Sequence, residues 1–248
     1  LSASYPVYAN RIRNIKTWGD FTFGDTGHSF YKCSNMTITA TDKPSFITGS
    51  SLEGAFYQCT ALAVTGSTAE TKFADWDTGP VTNFGSCFYQ CTNFNESLSG
   101  WDVSGGTTFS SMFEGASSFN GNITWGANSG NSFKSGGDNL NMSRMFTDSG
   151  FNNNSILNWN MGNVTNTSHM FSGASNFNVA INSWGDTTKN ITQMESMFKN
   201  TSSFNQNLNN WNTGKVVNMQ EMFSGSNTFN KDISNWNVSK VTNMSSMF

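Results

Sequence analysis

The sequence predicts a repeat solenoid, a fold in which short repeated units of chain stack on one another. One stretch of sequence occurs almost twice at the end of the 248 residues. Phe204 to Phe223 is followed by a near copy, Phe229 to Phe248, at an offset of 25 residues. Self-similarity at such a period is typical of solenoids, in which one unit is too small to bury its own apolar face. We therefore expect one elongated array rather than one or two globular domains.

A column of Phe residues, one from each unit, supports this prediction. Each Phe closes its unit, directly after Met in the clearest copies. The column comprises Phe30, Phe56, Phe88, Phe113, Phe146, Phe171, Phe198, Phe223 and Phe248. Two intervals of 32 and 33 residues must contain loops, and the clearest loop is Gly126 to Asp138. The column predicts roughly nine coils, most of them about 25 residues long.

Further columns follow the Phe column in a constant order. A second aromatic or apolar residue comes five or six positions later, and from the third unit onward an Asn follows it directly. The Asn column comprises Asn95, Asn120, Asn152, Asn178, Asn205 and Asn230. An amide at a fixed corner can donate to and accept from adjacent coils, so we expect a ladder of hydrogen bonds. A Trp column then follows, at Trp101, Trp125, Trp159, Trp184, Trp211 and Trp236.

Each coil is predicted to contain one short helical turn and one short parallel strand. Val241, Met244, Met247 and Phe248 lie on one face of a short helix. A Gly, Asn or Asp two residues after the column Phe suits the left-handed residue that ends such a turn. These residues are Gly115, Asp148, Gly173, Asn200 and Gly225. The residues from Ile233 to Val238 are predicted to form the strand, whose copies would pair in parallel.

The chain is predicted to divide into an N-terminal cap, residues 1–28, and a repeat array, residues 29–248. The cap prediction rests on apolar side chains that could cover one end of the stack, namely Ile12, Ile15, Trp18, Phe21 and Phe23. Solenoids usually need polar caps, and residue 248 falls in the middle of a unit. We therefore expect the array to continue beyond residue 248.

The last unit carries a resemblance to a known family. Its phrase Phe-Asn-x-x-Ile-x-x-Trp-x-Val-x-x-Val-Thr-Asn-Met-x-x-Met-Phe, from Phe229 to Phe248, resembles the repeat of BspA-like leucine-rich-repeat surface proteins. The segments Ser29 to Cys33 and Leu52 to Cys59 are similar to the Ala-Phe-x-x-Cys segment of that family. The resemblance covers roughly residues 12–248 and implies a leucine-rich-repeat-like solenoid with a role in adhesion or binding. It brings no shared catalytic motif.

Composition and motifs argue against several classes of function. Only 12% of the residues are charged, the net charge is -3, and the 13 Lys and Arg are mostly scattered, so we expect no nucleic-acid partner. No apolar run is long enough to span a bilayer. His28 and His169 belong to no recognisable constellation, and no nucleophile, phosphate-loop or zinc motif is present. We expect no enzyme and no cofactor.

The Trp column leaves two interpretations open. Ile233 and Trp236 are three residues apart, so a straight strand would point them to opposite faces. If the chain bends between them, both belong to the core. Otherwise the indoles form an exposed row that could stack on sugar rings or on a partner protein. The candidate binding face would then comprise Trp101, Trp159, Trp184, Trp211 and Trp236.

Three cysteines also leave two interpretations open. Cys33, Cys59 and Cys91 each lie three residues after the column Phe, so they should lie above one another in a stack. They form either a row of buried thiols or one disulfide, Cys33 to Cys59 or Cys59 to Cys91. An extracellular compartment would favour the disulfide.

The sequence favours a non-enzymatic adhesion or binding module, displayed at a cell surface or secreted, with an extracellular protein or glycan as partner. The alternative is a structural spacer or filament subunit, in which the ends of the solenoid associate with other copies. The two hypotheses differ in what covers the last coil, because filament assembly requires it to dock against another chain.

Overall fold

A computed structural model describes residues 9–63, 73–125, 133 and 139–248 of the protein, which form a repeat fold. The described strands are short: β1 Asn14–Ile15, β2 Thr22–Phe23, β3 Thr37–Ile38, β4 Ser45–Phe46, β5 Ser50–Ser51, β6 Val81–Asn83, β7 Leu140–Asn141 and β8 Val164–Asn166. The described helices are of the 3-10 type, at Ala9–Arg11, Phe73–Asp75, Asn154–Ile156 and Ile181–Asn190. The predicted loop Gly126 to Asp138 lies outside the described residues except for Phe133.

Parallel pairing links each repeat to the next. Strand β1 pairs with β3, β2 with β4, β5 with β6, and β7 with β8, always in parallel. Single parallel bridges extend this pairing through Asn83, Thr108, Asn141, Asn166, Gln193, Asn218 and Asn243. The prediction of parallel pairing is confirmed, but the predicted position is wrong. Ile233 to Val238 contains a turn at Ser234 and Asn235 and no strand, and the pairing lies at Asn243, immediately before the Met segment.

The backbone around each column Phe alternates between two kinds of hydrogen bond. Every second N–H donates to a carbonyl of the following repeat, and the N–H groups between them mostly close local turns. Around Phe171 the bonds between repeats run from Thr167 to Gln193, His169 to Glu195, Phe171 to Met197 and Gly173 to Lys199, at 2.7–3.0 Å. This alternation gives almost every buried N–H a partner without forming a helix.

Left-handed residues on both sides of the column Phe produce these turns. The predicted left-handed conformation two residues after the Phe is confirmed at Gly115, Asp148, Gly173, Asn200 and Gly225. A second left-handed residue, two positions before the Phe, was not predicted; in Ser111, Arg144 and Glu221 it carries an ordinary side chain. The short helix predicted from Val241 to Phe248 is therefore wrong, because residues with positive φ interrupt any helical run.

Equivalent aromatic rings of successive repeats stack inside this backbone. Phe113, Phe146, Phe171, Phe198 and Phe223 are almost fully buried, and neighbouring rings lie 5.5–5.8 Å apart with interplanar angles of 10° or less. The second Phe of the unit packs closely on the first, as at Phe171 and Phe177, where the centroids are 3.8 Å apart. Phe133 also enters this core, edge-on to Phe109 and Trp159.

β1 and β2, which lie in the segment predicted to be the N-terminal cap, pair in parallel with β3 and β4 of the array. Trp18 is buried there against Phe23, Phe30 and Trp76. The Asp42 carboxylate accepts hydrogen bonds from the backbone N–H groups of Trp18 and Gly19 and from the Thr17 hydroxyl. These bonds stabilise the charged form, the Trp18 N–H most strongly, and lower the pKa of Asp42 to about 2.

Replacing Phe171 by Ala should cost about 3–5 kcal/mol of unfolding free energy, because it removes a ring stacked on both neighbouring repeats. Denaturant melts of Phe171→Ala measure this loss. Phe248→Ala is the matched control, since the Phe248 side chain is 72% exposed, and it should change stability by less than about 0.5 kcal/mol. Equal losses in the two variants would contradict the stacked core.

Replacing Gly173 by Ala should destabilise the protein by at least about 1–2 kcal/mol. Gly173 has a φ of +70°, which disfavours any side chain, and an added Cβ would overlap the Asp148 carboxylate of the preceding repeat. Gly24→Ala is the control, because Gly24 has no positive φ and no atom near the position of a new Cβ. Thermal melts in which Gly173→Ala and Gly24→Ala lose equal stability would contradict the left-handed turn at Gly173.

Candidate functional site

The Trp column lies in the core. Trp101, Trp159, Trp184, Trp211 and Trp236 are each no more than 8% exposed, so the candidate binding face is wrong. Each indole Nε1 donates to a backbone carbonyl of the preceding repeat, for example from Trp184 to Ile156 O at 2.9 Å and from Trp211 to Ile181 O at 3.1 Å. The chain bends where a straight strand would have exposed the ring. The column requires Trp because only an indole combines this apolar surface with a donor at that reach.

The cysteines lie in the core as free thiols. Cys59 Sγ donates to Phe30 O at 3.0 Å, and Cys91 Sγ donates to Phe56 O at 2.9 Å. In a later repeat the Thr201 hydroxyl makes the equivalent bond to Phe171 O. Cys59 and Cys91 therefore take the place of a small hydrogen-bond donor. Cys33 is also a free thiol, so neither candidate disulfide, Cys33 to Cys59 or Cys59 to Cys91, is formed. Burial raises the pKa of all four thiols.

The Asn column forms a ladder on the surface. Asn152 Oδ1 accepts the backbone N–H of Asn178 at 2.9 Å, and the Asn152 N–H in turn donates to Asn120 Oδ1 at 2.9 Å. The same bond links Asn95 to Asn120, Asn178 to Asn205, and Asn205 to Asn230. The ladder joins the exposed corners of six successive repeats. Five of its six amide oxygens, all but that of Asn230, therefore accept a backbone N–H of the next repeat.

Charged side chains pair between neighbouring repeats. Lys199 Nζ lies 2.7 Å from Glu221 Oε2, and His169 Nε2 lies 3.8 Å from Glu195 Oε1. Burial, followed by the charge of Arg144, lowers the pKa of His169. Within residues 9–63, 73–125, 133 and 139–248, no group of three or more His, Cys, Asp or Glu could hold a metal ion.

A polar groove crosses the last repeats on their outer surface. Two cavities of about 620 and 470 Å³ share Asp186 and are lined mainly by Asn side chains. We define the amide groove by six of its residues: Asn160, Asp186, Asn209, Asn212, Asn235 and Asn237. Trp211 is among the residues that line the cavity of about 620 Å³, but it is only 2% exposed, so its ring is largely covered. The periodicity of the apolar residues did not predict this groove.

Three Asn residues of the groove have fixed orientations. Each follows a column Trp and forms an Asx turn, in which its Oδ1 accepts the N–H two residues later. The bonds run from Gly162 to Asn160 at 2.9 Å, from Gly214 to Asn212 at 3.2 Å, and from Ser239 to Asn237 at 3.0 Å. The recurrence of Trp-Asn-x-Gly, at Trp159 and again at Trp211, is the signal that could have predicted the first two of these turns.

Sequence comparison identifies a family for most of the chain. The family model described as "Mycoplasma protein of unknown function, DUF285" matches residues 50–135 and again residues 140–248. The two matches are in tandem, as expected for a repeat family. No curated protein and no solved structure matches the chain. In the part of the chain that the structure describes, every helix is too short or too polar to cross a bilayer.

Replacing Asn152 by Ala should cost about 1 kcal/mol, because the Asn178 N–H loses its acceptor in the neighbouring repeat. Asn152→Asp keeps an acceptor at the same position and should cost less than about 0.5 kcal/mol. Chemical denaturation of both variants measures the difference. If Ala and Asp were equally destabilising, the ladder would contribute nothing to stability.

The four thiols should resist alkylation in the folded protein, because buried thiols with raised pKa values form almost no thiolate at pH 8. Mass spectrometry after brief treatment with iodoacetamide should find no modified cysteine in native protein. It should find four in denaturant without reductant. Only two modified sites in denaturant would indicate a disulfide and contradict the free thiols.

Proposed function

The chain belongs to the DUF285 family, and from that premise we propose that it is a non-enzymatic binding module displayed outside the cell. Its partner is an extracellular protein or glycan. One observation carries this proposal: the core is buried and hydrogen-bonded, and polar side chains recur on the surface from repeat to repeat. A stacked core holds the exposed side chains of successive repeats at constant spacing, as a binding surface requires.

The finer fold in this proposal is a leucine-rich-repeat-like solenoid of the BspA-like group. Three features support it: the parallel pairing from β5 to Asn243, the Phe columns that stack through the interior, and the resemblance of Phe229 to Phe248 to the repeat of that group. The low content of charged residues supports a surface that binds through hydrogen bonds rather than through net charge.

Two measurements test this function. Antibodies against residues 139–248 should label intact cells of the source organism, and mild protease should remove the label. The purified protein should then bind saturably to one or more members of a panel of matrix proteins and oligosaccharides, while heat-unfolded protein should not. Labelling only after permeabilisation would contradict display outside the cell. A folded protein that bound no member of the panel would contradict the binding role.

A structural spacer or filament subunit, in which the ends of the array associate with other copies, is the second candidate. Parallel bridges such as Asn218 to Asn243 join successive repeats, and the same pairing could join one copy to another. Light scattering at increasing concentration should then reveal growing end-to-end assemblies, which Met244→Ser with Phe248→Ser would abolish. A protein that stays monomeric throughout would contradict this alternative.

A further inference from the structure

We propose that the amide groove binds a neutral oligosaccharide. This inference rests on the proposed binding function and deepens it by assigning a site and a class of ligand. The groove extends over four successive repeats, from Asn160 to Asn237, and its two cavities total enough space for several sugar rings. Sugar hydroxyls both donate and accept hydrogen bonds, so a matching site must offer both kinds of group.

The donors of the groove are three amide groups. In Asn160, Asn212 and Asn237 the Asx turn engages Oδ1 with a backbone N–H, which fixes the plane of the carboxamide. Among the described residues, no protein acceptor is bonded to Nδ2 of these side chains. Each Nδ2 therefore presents two N–H bonds to solvent in a set orientation, and little conformational entropy is lost when a ligand accepts from them.

The acceptors lie between and beside these donors. Asp186, which lies on the lining of both cavities, forms no hydrogen bond or ion pair with another described residue. Its exposed carboxylate can accept from two hydroxyls of a sugar. The Asn235 side chain is also exposed, since only its backbone N–H is bonded, to Asn209 Oδ1. The groove thus offers both donors and an acceptor, with Asp186 between Asn160 and Asn212 in the order of the repeats.

The chemistry of the lining argues against other macromolecules. Protein interfaces take most of their energy from buried Trp, Tyr and Arg, whereas the indole of Trp211 is covered and the groove exposes no other aromatic ring. Nucleic acids require several cations along the phosphate backbone, and here Lys189 stands near Asp186. Neutral hydroxyl-rich chains need neither feature, which favours a glycan.

The groove also draws polar groups from successive repeats. The residues that follow the column Trp are Asn160, Gly185 with Asp186 beside it, Asn212 and Asn237. An extended ligand that lies across the four repeats can therefore meet a donor or an acceptor in each of them.

The test is binding of the 248-residue protein to a panel of neutral, sialylated and sulfated oligosaccharides, and to matrix proteins. The wild-type protein should bind at least one neutral oligosaccharide. Asn212→Asp combined with Asn237→Asp keeps both Asx-turn acceptors and removes both donors, and should weaken binding about tenfold or more. Asn141→Asp is the matched control, because Asn141 forms the same turn with Ser143 outside the groove, and it should leave affinity unchanged.

The outcomes separate this inference from the proposed function. Binding to a matrix protein alone, or to sialylated or sulfated glycans alone, would overturn the neutral ligand and leave the binding role intact. Binding of a neutral glycan that the groove variant and the control preserve equally would overturn the site. Loss of binding in both the groove variant and the control would also overturn the site, because an added negative charge outside the groove would then be enough to abolish binding. Thermal melts confirm that each variant is folded.

Discussion

The structure depends on backbone hydrogen bonds that run between repeats rather than within them. Around each column Phe, every second N–H donates to a carbonyl of the following repeat. The N–H groups between them mostly close local turns, which the two left-handed residues beside the Phe produce. A single repeat cannot satisfy its own backbone in this conformation, because every second N–H around its column Phe has its acceptor in a neighbour. Stability is therefore a property of the stacked repeats and not of any one of them.

The side-chain columns follow from the same constraint. Stacking brings equivalent side chains of successive repeats into contact. Each column therefore requires a residue type that packs against, or bonds to, another copy of itself. Flat Phe rings do so by stacking, and the Asn column does so because an amide oxygen can accept the N–H of the next Asn. Trp and the small Cys, Ser or Thr residues add donors that reach carbonyls of the preceding repeat. Polar residues such as Asn178 are thus structural even though they are exposed.

The sequence predicted the features that recur with a constant residue type. The Phe spacing gave the register, and Gly173 with its equivalents marked one left-handed position. The other left-handed position could not be predicted, because Ser111, Arg144 and Glu221 share no residue type and their conformation is imposed by the bonds between repeats. The helix prediction failed for the same reason, since the spacing of Val241 and Met244 fits a helix and a run of turns equally well. The amide groove was missed because it depends on Asx turns on the surface, which apolar periodicity does not report.

Scalar couplings across hydrogen bonds, measured by NMR on isotope-labelled protein, test directly whether the backbone hydrogen bonds run between repeats. A coupling between a backbone nitrogen and a carbonyl carbon appears only when a hydrogen bond joins them. The account predicts couplings from the nitrogens of His169, Phe171 and Gly173 to the carbonyls of Glu195, Met197 and Lys199. Couplings from these nitrogens to carbonyls four residues earlier, as in a helix, would contradict it.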